Sequence, residues 1–158
     1  MKLSKRSEYG LRALQELATQ QADGPTRARD LAVNNVIPLK FLEQILLSLR
    51  CAGIVHSRRG RQGGYSLARP PEEITLGEVV RILDGPLAPI SCAGGTADEP
   101  CTCPDEASCG LRLVMIQVRD AVADILDNTT LADVAHGGVA IQSMAFALWG
   151  AKFTDPAG

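Results

Sequence analysis

The sequence predicts a mainly α chain with one small β-hairpin and a long pairing helix towards its C-terminal end. Three observations carry that prediction. Residues 1–52 hold three stretches of helical apolar spacing separated by turn residues. Residues 54–67 read as strand, glycine-rich basic turn, strand. Residues 109–127 carry apolar side chains at heptad spacing.

The first helix is expected to be capped by Ser7 and to run to about Gln20, with Leu11, Leu14, Leu17 and Ala18 recurring at helical spacing. Ala22-Asp-Gly-Pro25 breaks it. A short second helix is expected over 28–34, with Leu31 and Ala32 inward and Asn34-Asn35 turning the chain. Pro38 suits the first turn of a third helix, where its missing N–H has no partner to lose. The inner face of that helix is Phe41, Leu42, Ile45, Leu46 and Leu49, and Gly53 stops it. Lys40, Glu43 and Gln44 fall on its outer face near the N-terminus. Short helix, tight turn and a helix opening on polar residues is the helix-turn-helix pattern, and these three side chains stand where base edges are read in a major groove. An ordinary helical hairpin shares that pattern, so the segment that follows decides between them.

That segment reads as strands at 54–57 and 65–67 around Arg58-Arg-Gly-Arg-Gln-Gly-Gly64. Arg58, Arg59, Gly60 and Arg61 make a basic tip, and arginine on a flexible tip suits the narrow, electronegative minor groove. A hairpin placed directly after a helix-turn-helix is a wing. The fold class is therefore a winged helix-turn-helix plus a long dimerisation helix. Charge agrees: residues 1–70 hold 12 Lys and Arg against 5 Asp and Glu, a balance of +7, whereas residues 71–158 hold 4 against 13, a balance of −9. A basic half of this kind suits a polyanion. Neither a nucleophile–base pair nor a phosphate loop stands out, which argues against an enzyme.

Pro70-Pro71 closes the wing. Thr75-Leu-Gly-Glu78 is a capping-box sequence, opening a helix that buries Val79, Val80, Ile82 and Leu83 and ends at Gly85-Pro86. In the long helix from about Cys109 to Asp127, Leu111, Met115, Val118, Val122 and Ile125 are spaced 4, 3, 4, 3. A lone seam of that length pairs with the same seam of a second copy, so a homodimer is expected. Thr130-Leu-Ala-Asp133 caps one more short helix. The expected organisation is a DNA-binding winged helix-turn-helix domain over 1–84, a cysteine-rich loop over 85–108, a dimerisation helix with a short following helix over 109–135, and a C-terminal tail over 136–158.

Four of the five cysteines, Cys92, Cys101, Cys103 and Cys109, crowd into one stretch with Gly94, Gly95, Pro100 and Pro104, which suit neither helix nor strand. A flexible loop with four thiols points to a soft partner, an iron–sulfur cluster or zinc, or else to disulfides. No apolar run approaches the ~20 residues of a membrane helix, and the first residues lack the apolar segment of a signal peptide. The expected location is cytoplasmic, where thiols stay reduced and clustered cysteines bind metal. Cys51, among apolar residues at the end of the third helix, is expected to be a buried small hydrophobe. His56 and His136 have no partner at metal-ligand spacing.

Over about residues 1–135 the chain resembles the winged-helix regulator family typified by the iron–sulfur assembly regulator IscR and the nitric-oxide sensor NsrR. The resemblance rests on Leu-Glu-Gln (42–44), Arg-Gly (59–60), Gly-Gly-Tyr (63–65), Ile-Thr-Leu-Gly-Glu-Val (74–79), the cysteine loop and Thr-Leu-Ala-Asp (130–133). It implies a homodimeric transcription factor, usually a repressor, bound to a two-fold symmetric operator in double-stranded DNA. It also implies that Glu43 helps select bases and that Arg59 enters the minor groove. Further, it implies an iron–sulfur cluster, 2Fe–2S or 4Fe–4S, with Cys92, Cys103 and Cys109 as ligands, because the family loop ends in the Cys-x5-Cys spacing found at Cys103 and Cys109. Some members use a histidine three residues past the last cysteine; this chain has Arg112 there. The fourth ligand falls to Glu8, at a position where certain relatives supply a carboxylate from the opposite subunit, or to the extra thiol Cys101, with Glu8 preferred. The alternative is a clusterless or thiol-switch repressor of cysteine or sulfur metabolism. A structural zinc site fits less well, since Cys-x-Cys with long spacings is unlike the Cys-x2-Cys of zinc ribbons.

Overall fold

The computed structural model describes residues 3–94 and 109–135; Cys101, Cys103, His136 and the tail lie outside them. Helix α1, Lys5–Thr19, starts from Ser4 rather than Ser7. The Ser4 hydroxyl accepts from the N–H groups of Arg6 at 3.1 Å and Ser7 at 3.2 Å, and donates to the Asp84 carboxylate. Ser7 instead lies inside the helix, fully buried, and its Oγ has no partner among the described residues. Helix α2, Ala28–Asn34, matches its expected span. Helix α3, Leu39–Cys51, has Pro38 at its N-cap, one residue before the first-turn position expected. Gly53, at φ 74°, takes the left-handed turn that stops it.

The wing is an antiparallel pair, β1 (Val55–Arg58) and β2 (Gly64–Leu67), in register from Val55 opposite Leu67 to Arg58 opposite Gly64. Strand β1 lies one residue later than its expected span and β2 starts one residue earlier than expected, so Arg58 is part of the ladder and the tip proper starts at Arg59. On the outer edge of β2, Thr26 and Tyr65 exchange backbone hydrogen bonds of 2.9 and 2.7 Å, which join the wing to the start of the helix-turn-helix. Helix α4, Leu76–Asp84, is capped by the Thr75 hydroxyl, which accepts from Glu78 N–H at 3.1 Å. The Glu78 carboxylate pairs with Arg69 at 2.7 Å.

One aliphatic core binds these elements. Leu14, Leu31, Leu42, Ile45, Leu46, Leu49, Ile54 and Val79 are at most 0% exposed, and the set includes Leu131 from the far end of the chain. Helix α5, Gly110–Asp127, differs: none of its residues is buried. A bidentate pair of Arg81 with Asp127, at 2.6 and 2.7 Å, ties α4 to the last turn of α5. The hydrogen-bonded guanidinium of Arg81 holds the Asp127 carboxyl below the usual carboxylate range. The chain then returns: Leu131 N–H donates to the Ile74 carbonyl at 2.9 Å, and helix α6, Leu131–Ala135, packs on α1. Among the described residues no helix is long and apolar enough to cross a membrane.

Helix α6 opens on a complete capping box. The Asp133 carboxylate accepts from Thr130 N–H at 2.8 Å, and the Thr130 hydroxyl accepts from Asp133 N–H at 3.2 Å. The backbone N–H of Thr130, then its hydroxyl, hold the Asp133 carboxyl below its ordinary 3.8. A depressed folded value means that this stabilisation is present above 3.8 and lost as pH falls through the lowered one. Thr130→Ala is expected to cost about 1 kcal/mol and lower the thermal midpoint by about 2–4 °C in calorimetry. An unchanged midpoint would remove the cap from the stability of the head.

Candidate nucleic-acid interface and cysteine site

The outward positions of α3 follow from its core positions. Leu42, Ile45, Leu46 and Leu49 consume the inner stripe, so Lys40, Glu43 and Gln44 are left exposed at the N-terminal end. At the wing tip Arg59, Gly60 and Arg61 are likewise exposed, with Arg58 just behind them on β1. The tight tip depends on two glycines. Gly60 sits at φ 113°, which other residues rarely adopt. A side chain on Gly63 would stand 2.2 Å from the Arg58 carbonyl oxygen. Arg27 donates to the Arg61 carbonyl at 2.6 Å, fastening the tip to the residue that precedes α2. Sequence reading did not single out Arg27, because only the fold brings it to the wing. The result is one body carrying an exposed helix N-terminus and a basic hairpin tip.

Of the cysteines, Cys92 lies in a 3-10 turn, Ser91–Ala93, and Cys109 is the N-cap of α5; both are half-buried. Two arginines of α5 hold that turn. Arg112 Nε donates to the Cys92 carbonyl at 3.1 Å, and Arg119 Nη1 donates to the Ala93 carbonyl at 2.6 Å. Arg112 is one helical turn past Cys109, so Cys92 and Cys109 lie at the same end of α5. The sequence carried this signal in the seven-residue interval between Arg112 and Arg119, which puts both on one face. Cys101 and Cys103 lie outside the described residues. No group of three Cys, His, Asp or Glu side chains gathers at metal-binding distance among the described residues.

Glu8, in the first turn of α1, has one carboxylate oxygen 2.7 Å from Lys5 Nζ and the other 2.6 Å from Arg12 Nη2. Solvent screens exposed pairs of this kind, so they hold the carboxylate only weakly in place. Cys51 is exposed rather than buried. It follows Leu49 by two residues, about 200° around the helix, which turns it away from the core stripe.

The long helix also differs from its expected seam. Leu111, Val118 and Ile125 are exposed as the seam requires, at 60%, 39% and 59%, but Val114 at 53% joins them. Met115 and Val122 are half-buried instead, on the side that carries Arg112 and Arg119. The outward stripe is thus 111, 114, 118, 121 and 125, spaced 3, 4, 3, 4.

An exposed recognition-type helix beside an arginine-tipped hairpin, on the basic half of the chain, defines a winged-helix DNA-binding protein. Residues 3–137 match the Rrf2 family model, described as an iron-dependent transcriptional regulator, and the chain belongs to that family. It is a transcriptional regulator and not an enzyme. An rrf2-like HTH-type transcriptional regulator of Rhodobacter capsulatus is 41% identical to it over 140 residues, covering 86% of this chain and 93% of the relative. Among solved structures, CymR, the global cysteine regulator of B. subtilis, superposes with a TM-score of 0.72 at 38% identity, covering 86% of this chain and 97% of CymR. IscR of T. potens gives a TM-score of 0.69 at 30% identity, covering 90% and 91%. The winged-helix fold class and the family resemblance read from the sequence both hold.

Proposed function

We propose that the protein is a homodimeric repressor that reads a two-fold symmetric DNA operator and senses redox, nitric oxide or iron status through the cysteines between residues 92 and 109. In this reading Cys92, Cys103 and Cys109 hold an iron–sulfur cluster, and Glu8 or Cys101 completes the set. The donor chemistry fits: thiolates are the usual ligands of such clusters, with occasional replacement. The positive end of α5 also favours negative charge beside Cys109. When bound, the cluster supplies a one-electron redox group that oxidants and iron loss can remove.

The observation that carries the proposal is the hydrogen bond from Arg112 to the Cys92 carbonyl at 3.1 Å. It joins the start of the cysteine stretch to α5, the helix with the unburied apolar stripe. Whatever fixes Cys92 and Cys109 therefore fixes the start of the pairing helix, and Arg81 with Asp127 couples its other end to α4. A change at the cysteines then alters the spacing of the two reading heads, which operator affinity registers. The similarity to a cysteine regulator supports a second reading, in which the same thiols switch by forming disulfides without metal.

DNA reading is tested at two residues. Glu43→Ala is expected to cost about 1–3 kcal/mol and to relax base preference at one position per half-site, whereas Arg59→Ala weakens all sequences and flattens the salt dependence. Fluorescence anisotropy across a potassium chloride series reads both. Two variants that bind as wild type would remove α3 and the wing from the interface.

A further inference from the structure

Val36, in the turn between α2 and α3, is the one non-glycine residue with positive φ among the described residues, at 54°. For a β-branched side chain that conformation is an outlier, and such strain persists only where the surroundings over-determine it. Here they do. Val36 N–H donates to Val33 O at 3.2 Å and Ile37 N–H to Ala32 O at 2.9 Å. The Asn35 amide donates both to Leu31 O, at 2.9 Å, and to the Glu16 carboxylate, which also accepts from Asn34. The backbone is held without help from the Val36 side chain, which is 85% exposed. Glycine would take this φ without strain and sacrifice no packing. One exposed valine is ordinary. A valine that is both strained and exposed is not, and its neighbour Val33 is 70% exposed as well.

Val33, Val36, Ile37, Pro38 and Leu39 line a shallow apolar hollow with Arg29 on its rim, directly before Lys40, Glu43 and Gln44. The hollow is continuous with the face that a helix-turn-helix presents to a major groove. The apolar feature of that groove is the thymine 5-methyl group. Arg29 supplies the positive charge that an adjacent phosphate requires. We propose that Val36, supported by Val33, is a sequence-reading residue that packs on a thymine methyl in each operator half-site. This rests on the reading of α3 as the DNA-reading helix.

The test uses the full chain. Wild-type protein selects duplexes from a random-sequence pool, and each thymine of the selected duplex is then replaced by uracil, which lacks the methyl. One position per half-site is expected to lose about fourfold in affinity per methyl, or about 15-fold for both half-sites. Val36→Gly and Val36→Asn, which accept the left-handed conformation, are expected to bind thymine and uracil duplexes alike, as weakly as wild type binds uracil. The thermal midpoint of Val36→Gly is expected to be no lower than wild type. Variants that discriminate as wild type does, or a wild type indifferent to every uracil, would overturn the proposal. A pool from which wild type enriches no sequence removes operator reading first, and this proposal with it.

Discussion

Val118→Lys is expected to convert the protein to a monomer and to weaken operator binding by about 10²- to 10⁴-fold, the avidity that joining two half-site contacts provides. Val118 belongs to the outward stripe of α5 with Leu111, Val114 and Ile125, all exposed and none in the core. A stripe of that length on a helix with no buried residue has its natural cover in the same stripe of a second copy. Two lysines brought face to face there lose apolar burial and repel. The head should be spared, since its core is built from α1, α3, α4 and Leu131 and does not contain Val118. Sedimentation velocity and anisotropy read the two effects separately. A variant that stays dimeric at micromolar concentration, or a monomer with undiminished operator affinity, would remove α5 from the pairing surface.

The second large effect concerns the thiols. Cys92→Ala, Cys103→Ala and Cys109→Ala are each expected to abolish the visible absorption and bound iron of anaerobically purified protein, because each removes one of the three thiolates that this reading makes the core ligands. Glu8→Ala and Cys101→Ala then separate the two candidates for the remaining position: the true ligand loses or shifts the spectrum and the other leaves it unchanged. Arg112→Gln is a milder comparison. Arg112 donates to the Cys92 carbonyl and is not itself one of the ligands in this reading, so a weakened rather than absent cluster is expected, by about 10- to 100-fold in metal retention, as for supporting residues at metal sites. Three cysteine variants with wild-type spectra would end the ligand assignment and leave the thiol switch, which iron and sulfide analysis with disulfide mapping identifies.

Much of the head was legible because local signals and tertiary packing agree there. The apolar spacing of α3, the Thr75 and Thr130 caps and the glycine-rich basic turn each name one structure. The failures occur where a distant partner decides. Ser4 outcompetes Ser7 as the cap because Asp84, eighty positions away, accepts its hydroxyl proton. The seam on α5 rotates because Met115 and Val122 find cover within their own chain, on the same side as Arg112 and Arg119, leaving Val114 outside. Cys51 is exposed because helix rotation outweighs the apolar company of its sequence neighbours. The return of Leu131 into the core had no local signature, since the Ile74 carbonyl that accepts its N–H lies before α4 and α5 in the chain. Val36 is the inverse case: its sequence reads as an ordinary apolar residue, and only its φ of 54° marks it.

The coupling between thiols and reading heads is tested most directly by titrating one operator with anaerobic protein before and after the metal and sulfide are removed, with iron counted in both. The expected result is a coloured, iron-containing dimer whose operator affinity changes at least tenfold on removal, a difference of about 1.4 kcal/mol between the two arrangements. A colourless, iron-free preparation that grips the same duplex with the same affinity throughout would contradict it.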